Sequence, residues 1–537
     1  MSPAANTYDA LVIGGGHNGL VSAAYLARAG KRVCVLERRE RVGGAAVTEE
    51  IFPGFRFSVY SYVVSLLRPE IIRDLDLPRH GLHILPLDST VTPVPNGDYL
   101  GQWGDHDQNR RELYRHSPRD AEAYDDFGQL MYHMAYAVRP ILGMVPPDPS
   151  SLSPADLKGM LKLGMHMRSL GGERFHALHK LMTMSSADFL DEWFETDALK
   201  ATKSASGIIG TFLGPRSPGT AYVLLHHYMG DLDGVFRAWG FPKGGTGSVS
   251  EAIASSARSF GAEIRTSAPV ARVLTKGGRT TGVVLENGDE LRAPVVVSGL
   301  DPRRTFLQLL EPTALPDDFV ETIRRYKFRG SSGKVNLALS ELPNFTCLPG
   351  VGPNASPEGR AALRGAFSIS PSMDYVERAY DDAKYGEFSR RPYMDIVIPS
   401  MIDPGMAPPG KHVMSIFVQY APYNLNGGWT DAKREAFGDA VIDTLAQYAP
   451  NIRQSILHRQ VISPADIERV TGLSEGNIFQ GELALHQLFF FRPAPQWARY
   501  RTPVQGYFQC GAGTHPGGGI MGASGRLAAL EILGARK

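Results

Sequence analysis

The sequence predicts an α/β fold in which a Rossmann-like nucleotide-binding domain is interleaved along the chain with a second, α+β domain. Three observations predict it. Ala10–Ile13 is a short apolar run typical of a buried parallel strand, and a glycine-rich turn follows it. A second glycine-rich segment, Gly511–Gly519, precedes a helical stretch near the carboxyl end. Helical patterns dominate residues 80–230 between these ends, and strand patterns return beyond them.

Composition excludes several classes of protein. With 43% hydrophobic and 21% charged residues over 537 positions, the chain is too apolar for global disorder. A net charge of +1 predicts no nucleic-acid partner. The three distant cysteines form no CxxC pair, which excludes a disulfide scaffold and a thiolate metal site. With no secretory-signal pattern and no long apolar run, a cytoplasmic protein is expected.

The first glycine-rich turn has the spacing of a dinucleotide site. In GxGxxG, Gly14 permits a tight turn, Gly16 lets a pyrophosphate approach, and Gly19 lets helix and strand touch. The following helix offers its positive amino end to the phosphates. Glu37 ends the second strand 23 positions after Gly14, where a carboxylate accepts the ribose hydroxyls. These elements together predict an adenine dinucleotide, either NAD or FAD.

Two further segments favour FAD. Arg38 leads into the doublet Gly43-Gly44 and then Ala45, which can run against the phosphates and ribitol. The segment Gly511–Gly519 ends just before the predicted helix from Ala523 to about Gly534. Such a helix start offers N–H donors to the edge of a flavin ring on which negative charge gathers during reduction.

The chain resembles the phytoene desaturase/flavin amine oxidase superfamily. Within it, the chain is similar to the branch that contains β-carotene ketolases, bacterial carotenoid desaturases and pyridine nucleotide-disulphide oxidoreductase domain-containing protein 2. The resemblance runs nearly end to end. It rests on Val12–Leu20, Gly43–Ala46, Pro242–Gly247, Met406–Gly410 and Gly511–Gly519.

The resemblance implies a glutathione-reductase-type FAD-binding domain, noncovalent FAD and oxidation by hydride transfer to flavin N5. It also places the backbone of Val270 beside adenine. No catalytic residue and no metal ligand is assigned. The predicted cofactor-binding residues are Gly14, Gly16, His17, Asn18, Gly19, Glu37, Arg38, Gly43, Gly44, Ala45, Val270, Gly513, Gly519, Ile520 and Met521.

Two discontinuous domains are expected. The FAD-binding domain comprises residues 1–80, 231–301 and 491–537, and the substrate-binding domain comprises 81–230 and 302–490. The second domain contains predicted helical stretches at Ala155–Leu170 and Ser186–Lys200.

The leading functional hypothesis is an FAD-dependent oxidoreductase that acts as a desaturase or ketolase on a hydrophobic, isoprenoid- or lipid-like substrate. The alternatives are a flavin-bound regulatory or assembly protein without turnover and an amine oxidase, which shares the fold. No second GxGxxG follows a predicted strand, so electrons are expected to leave for oxygen, a quinone or another acceptor.

Several side chains beyond the cofactor motifs are candidates for substrate contact, and each has a plain packing alternative. His226 and His227 are either packed in the core or polar contacts in a substrate cavity. His515, inside the second glycine segment, is expected near the flavin or bonded to backbone. Tyr60 and Tyr62 either line an apolar tunnel or belong to the core.

The stretch Ala155–Leu170 alternates leucine and methionine with lysine, histidine and arginine. A basic amphipathic helix of this kind can lie on a membrane surface, or it can form a lid over a substrate cavity. Both interpretations stay open at the level of sequence, so peripheral membrane contact is one expectation.

Overall fold

The computed structural model describes residues 6–232, 234–236, 238–348 and 356–534. The strands are β1 Ala10–Ile13, β2 Val33–Leu36, β3 Thr48–Phe52, β4 Phe55–Ser58, β5 Ile84–Pro86, β6 Ser89–Pro93, β7 Tyr99–Trp103, β8 Asp231–Leu232, β9 Val235–Phe236, β10 Gly240–Pro242, β11 Glu263–Arg265, β12 Val270–Lys276, β13 Arg279–Leu285, β14 Glu290–Arg292, β15 Val295–Ser298, β16 Ser332–Leu339, β17 Ala366–Ile369, β18 Tyr393–Val397, β19 His412–Gln419, β20 Ile456–Ile462 and β21 Tyr507–Gln509.

The helices are α1 His17–Arg28, α2 Pro69–Asp74, α3 His106–His116, α4 Pro118–Leu142, α5 Pro154–Ser169, α6 Gly171–Thr183, α7 Ser186–Asp191, α8 Asp197–Ala205, α9 Thr220–Tyr228, α10 Gly247–Ser259, α11 Pro302–Leu307, α12 Asp317–Arg325, α13 Pro357–Leu363, α14 Met373–Lys384, α15 Pro399–Ile402, α16 Asp431–Ala446, α17 Ile452–Ser455, α18 Pro464–Thr471 and α19 Ala523–Ile532. None of the helices in the described part of the chain combines the length and the apolar character that a bilayer-spanning segment needs.

A five-stranded parallel sheet, in the order β11-β2-β1-β15-β21, carries the first glycine turn. All four residues of β1 are buried, because the strand is apolar throughout and covered on both faces. The chain runs from β1 through α1 to β2 on one side, whereas β15 lies on the other. At such a reversal of strand order, ligands bind outside the carboxyl ends of the strands. Gly14 and Gly299 lie there, and the Gly299 N–H donates to the Ile13 carbonyl at 2.8 Å.

The second large sheet has seven strands, in the order β20-β16-β19-β18-β17-β6-β7. Its neighbouring strands are antiparallel, except for the parallel pair β17 and β6. Helices α4 to α9 pack around a separate hydrophobic core beside it. The mixed α/β architecture with its parallel sheet confirms the predicted fold class.

The predicted domain boundaries stay a prediction. The strands of the parallel sheet lie within residues 10–36, 263–298 and 507–509, and those of the seven-stranded sheet lie within 89–103 and 332–462. Each sheet therefore draws on separated stretches of the chain.

One predicted helical stretch is interrupted. Residues 186–200 contain α7, which ends at Asp191, and the start of α8 at Asp197. The carboxylate of the fully buried Asp120 accepts hydrogen bonds from the N–H groups of Glu195 and Thr196, both at 2.8 Å. These bonds to the intervening backbone end one helix and position the start of the next.

Candidate active site

The turn after β1 surrounds open space with backbone rather than side chains. Gly14 has a φ of +95°, in the region that favours glycine. A Cβ on Gly19 would lie 2.2 Å from the Gly14 carbonyl oxygen, so glycine is required for α1 to begin this close to the turn. A Cβ on Gly16 would meet no atom of the described residues within 4 Å. Gly16 therefore faces free space at the amino end of α1.

That helix start is suited to an anion. Its first turn contains no acidic residue, and Gly16 at the N-cap supplies no side chain to bond the first N–H groups. Those donors and the positive end of the helix dipole face the space beside Gly16. A phosphate group is the ligand that such a helix start binds.

The glycine doublet lies directly against this turn. The Gly43 N–H donates to the Gly15 carbonyl at 2.8 Å, and a Cβ on Gly44 would lie 3.6 Å from the Cα of Gly16. Gly43 has a φ of +122°, and a Cβ there would come within 2.5 Å of the Ala46 carbonyl oxygen. The doublet thus forms a second backbone wall of the same space.

The carboxylate of Glu37 is fixed at the edge of the turn. It accepts hydrogen bonds from the N–H of Gly15 at 2.7 Å and from the N–H of Arg39 at 2.9 Å. A carboxylate has about four acceptor sites, so these two bonds orient it and leave capacity for a ligand's hydroxyl groups.

The carboxyl-terminal glycine segment meets the first turn. The Gly519 carbonyl lies near the His17 ring, and burial lowers the pKa of His17 to about 4, so the ring is neutral at neutral pH. A Cβ on Gly525, in α19, would lie 2.1 Å from the Asn18 carbonyl oxygen. Helix α19 therefore packs on the first turn of α1, and the two ends of the chain share one site.

These segments line one cavity, which we name the glycine cavity. Eleven predicted residues line it, namely Gly14, Gly16, His17, Asn18, Gly19, Glu37, Gly43, Gly44, Ala45, Gly519 and Ile520. Aromatic side chains also line it, among them Tyr60, Tyr62, Trp239, Phe417 and Phe479.

Four predicted residues lie outside the lining. The Arg38 guanidinium donates to the carbonyls of Arg469 and Val470. The Gly513 N–H donates to the Gln480 side chain at 3.0 Å. Two others pack against apolar neighbours, and these are Val270 at the start of β12 and Met521 beside Leu66. Their contact with a cofactor stays a prediction.

A family model for flavin-containing amine oxidoreductases matches residues 19–533. The chain belongs to this family. Pyridine nucleotide-disulfide oxidoreductase domain-containing protein 2 of Rattus norvegicus is 42% identical over 545 residues, covering 98% of this chain and 93% of the relative. The lycopene-forming phytoene desaturase of Paracoccus sp. is 26% identical, covering 98% and 96%.

The fold is also similar to that of solved structures. Wild-type putrescine oxidase bound to putrescine has a TM-score of 0.61 at 16% identity, covering 98% of this chain and 99% of that one. The predicted superfamily is confirmed, and FAD is the cofactor of this flavin-containing amine oxidoreductase.

The glycine cavity fits FAD. Its turn gives a pyrophosphate backbone donors and the free space at Gly16. The buried side-chain atoms His17 Nε2 and Asn18 Oδ1 have no hydrogen-bond partner among the described residues. Buried polar atoms without partners are rare, so two at this turn indicate a polar ligand.

A second cavity adjoins the first, and we name it the inner cavity. Its volume is about 430 Å³. Five residues line both cavities and mark the junction, namely Tyr62, Val63, Ile209, His227 and Trp239. The boundary between the two cavities is therefore mostly apolar and aromatic.

Polar side chains lie beyond that junction. The Tyr62 hydroxyl donates to the Asp395 carboxylate at 2.5 Å. Asp395 lies across the strand pair from Ser368, and Lys203 is held 4.5 Å from the ring centroid of Tyr124. Because Asp395 is enclosed in the protein, desolvation raises the pKa of its carboxyl to about 6, against the lowering effect of the Tyr62 bond.

The candidate histidines are held by backbone. His226 Nε2 bonds the Gly518 carbonyl at 3.3 Å, His227 Nδ1 bonds the Val223 carbonyl at 3.0 Å, and His515 Nε2 bonds the Ile141 carbonyl at 3.0 Å. Burial lowers the pKa of His226 to about 3 and that of the other two to about 4. His227 lines both cavities, whereas the other two line neither.

Two buried basic side chains position the walls. The Lys334 Nζ donates to the carbonyls of Ser58 at 2.5 Å and Ser61 at 3.4 Å, and Ser61 lines the glycine cavity. Burial lowers the pKa of Lys334 well below its usual range. Neither this lysine nor the inner-cavity carboxylate Asp395 belongs to a local sequence motif, so sequence reasoning missed both.

Arg492 holds residues 479–487 next to Ala512 in the carboxyl-terminal glycine segment. Its fully buried guanidinium donates five hydrogen bonds to backbone carbonyls, at 2.8–3.2 Å. Two of the acceptors, Phe479 and Ala512, belong to the lining of the glycine cavity. The residue thus positions that lining through the backbone and touches neither cavity itself.

Proposed function

We propose that this FAD-dependent oxidoreductase oxidises a largely hydrophobic, isoprenoid- or lipid-like molecule that carries a polar group. The observation that carries the proposal is the inner cavity, which starts at side chains shared with the glycine cavity and extends to Asp395. Val63, Ile209 and Trp239 at the junction suit an apolar segment. The name of the similar phytoene desaturase supports an isoprenoid substrate.

In this proposal the aromatic side chains position the substrate and Asp395 binds its polar group. Bound FAD supplies the acceptor for a hydride from the substrate. The junction aromatics Tyr62 and Trp239 hold the reacting carbon at the glycine cavity and exclude water from it. Asp395 holds its proton below a pH of about 6 and binds the polar group of the substrate. The substrate's proton leaves to water or a weak base, and electrons pass on to oxygen, a quinone or another acceptor.

An amine is the second candidate substrate. The rings of Tyr60 and Tyr62 both line the glycine cavity, and the ionised Asp395 carboxylate would bind an ammonium group. The same contacts would then select a cationic head group rather than a hydroxyl or carbonyl group.

The test is anaerobic titration of the purified holoprotein with isoprenoid alcohols, free fatty acids and primary amines, followed by the visible flavin spectrum. We expect an isoprenoid alcohol to bleach the flavin band. Bleaching by amines alone would replace the proposal with the second candidate. A flavin that neither substrates nor chemical donors reduce would contradict both and favour a regulatory or assembly role.

A further inference from the structure

Exposed apolar side chains concentrate in one part of the molecule. Among the described residues, twelve large hydrophobic side chains are exposed, and seven of them lie between residues 132 and 175. These seven are Tyr132, Tyr136, Leu152, Leu157, Leu161, Met165 and Phe175. Single exposed apolar residues are ordinary, but such a concentration marks an interaction surface.

We propose that the exposed face of α5, with Leu152 before it and Phe175 after it, docks this protein onto an anionic lipid surface. Leu157, Leu161 and Met165 follow one another at intervals of four residues, so they form one stripe along α5. Their side chains are 51%, 63% and 57% exposed. We name this stripe with Leu152 and Phe175 the leucine face.

The opposite side of α5 is fastened to the protein. His166 Nε2 bonds the Ala137 carbonyl in α4 at 2.8 Å. The buried Asp156 accepts two hydrogen bonds from the Arg499 guanidinium, at 2.9 and 3.0 Å. The helix is therefore held by its other side, and the leucine face points outward.

The charges beside the leucine face match an anionic surface. Between residues 152 and 180 there are five lysine and arginine residues against two acidic ones, whereas the whole chain carries only +1. Asp156 is one of the two and is engaged by Arg499, which leaves Glu173 as the exposed acidic residue of the stretch. Lys158 and Lys162 are exposed beside the stripe, where their charges are attracted to an anionic bilayer.

A lipid surface suits this combination better than a protein partner does. Leucine, methionine and phenylalanine can enter the acyl boundary while flanking lysines remain among the headgroups. Helix α4, to which α5 is bonded, is also fixed relative to the carboxyl-terminal glycine segment, because its Ile141 carbonyl accepts a hydrogen bond from His515. The proposal stands without the proposed substrate.

The experiment is co-sedimentation of the holoprotein with vesicles of phosphatidylcholine alone and of phosphatidylcholine with phosphatidylglycerol. We expect binding to the anionic vesicles that weakens at high salt. Leu157→Ser with Leu161→Ser should lower vesicle affinity by about tenfold or more, since two apolar side chains no longer enter the bilayer. Lys158→Glu with Lys162→Glu should abolish the preference for anionic vesicles.

The matched control is Tyr385→Ser with Leu457→Ser, which removes two exposed apolar side chains elsewhere on the surface. It should leave vesicle binding unchanged, and the flavin spectrum reports the fold of every variant. No sedimentation of the wild type, or equal loss in the control, would overturn the proposal. Self-association that Leu157→Ser disrupts, with no vesicle binding, would assign the leucine face to a second copy instead.

Discussion

The glycine cavity is lined in large part by backbone, whereas the inner cavity is lined mainly by side chains. Apart from the Glu37 carboxylate, the predicted part of the glycine cavity comes from backbone turns in three short segments, at residues 14–19, 43–45 and 519–520. The inner cavity is enclosed by side chains from many separated segments between residues 62 and 395. A backbone cavity tolerates almost no change at its glycines, whereas side chains can be exchanged without moving the main chain. Substrate choice can therefore vary over one fixed cofactor site.

The electrostatics differ in the same way. The glycine cavity offers N–H groups and a helix dipole to phosphates, and the ring of His17 in its lining is neutral at neutral pH. The inner cavity encloses Asp395, whose carboxyl pKa is raised to about 6 by burial, and Lys203 also lines it. We expect pH to act chiefly through the inner cavity.

The largest effect is expected for a substitution at Gly16, which lines the glycine cavity but not the inner cavity. In Gly16→Val the side chain enters the space of the pyrophosphate and breaks at least two charge-assisted hydrogen bonds, each about 1.5–3 kcal/mol. FAD affinity should fall by about a hundredfold or more, measured by fluorescence titration of the apoprotein. Gly128→Val, where a Cβ also meets nothing within 4 Å, is the control. Full flavin in folded Gly16→Val would contradict the site.

The second prediction concerns stability and pH. The pKa of Asp395 is about 6 in the folded protein and about 4 in an unfolded chain, so the folded state binds this proton more tightly. The contribution of Asp395 to stability is therefore greatest below pH 4, falls by about 3 kcal/mol as pH rises through the folded-state pKa of about 6, and is constant above about pH 7. In Asp395→Asn that fall should disappear from urea unfolding curves, whereas the exposed Asp317→Asn should retain it. Parallel profiles for wild type and Asp395→Asn would refute this.

The third prediction sharpens the role of the inner cavity in turnover. Asp395→Asn keeps the shape of the side chain but removes the charge, and we expect kcat/KM to fall by about tenfold to thirtyfold with FAD content unchanged. Asp88→Asn is the matched control, because Asp88 lines the same cavity but is engaged by Arg364 at 2.8 Å. An equal loss in both variants would mean that Asp395 has no specific part in recognition.

The smallest effect concerns one hydroxyl group. Tyr62→Phe removes the hydrogen bond that lowers the pKa of Asp395, so the midpoint of the pH–stability profile should move upward by about one pH unit. Tyr60 also lines the glycine cavity, but the bond to Asp395 comes from Tyr62, so Tyr60→Phe should leave the midpoint unchanged. A downward move in Tyr62→Phe would contradict the assigned hydrogen bond.

The comparison also explains what the sequence could predict. The glycine spacing from Gly14 to Gly19 is a local pattern with one backbone solution, so β1, α1, β2 and the parallel sheet were predictable. Asp395 and Lys334 become site residues only when the seven-stranded sheet brings distant segments to Tyr62. The interruption of the predicted helix at residues 186–200 depends on Asp120, some 75 positions away along the chain, so the local sequence pattern could not predict it.

The central claim is that a substrate oxidised at the glycine cavity binds in the inner cavity. The most direct measurement is anaerobic bleaching of the flavin band in the wild type and in Ala238→Trp, whose added ring enters the inner cavity. We expect the variant to keep its flavin spectrum and to lose bleaching by the substrate that reduces the wild type, while a chemical donor still reduces it. Undiminished bleaching in Ala238→Trp would contradict the claim.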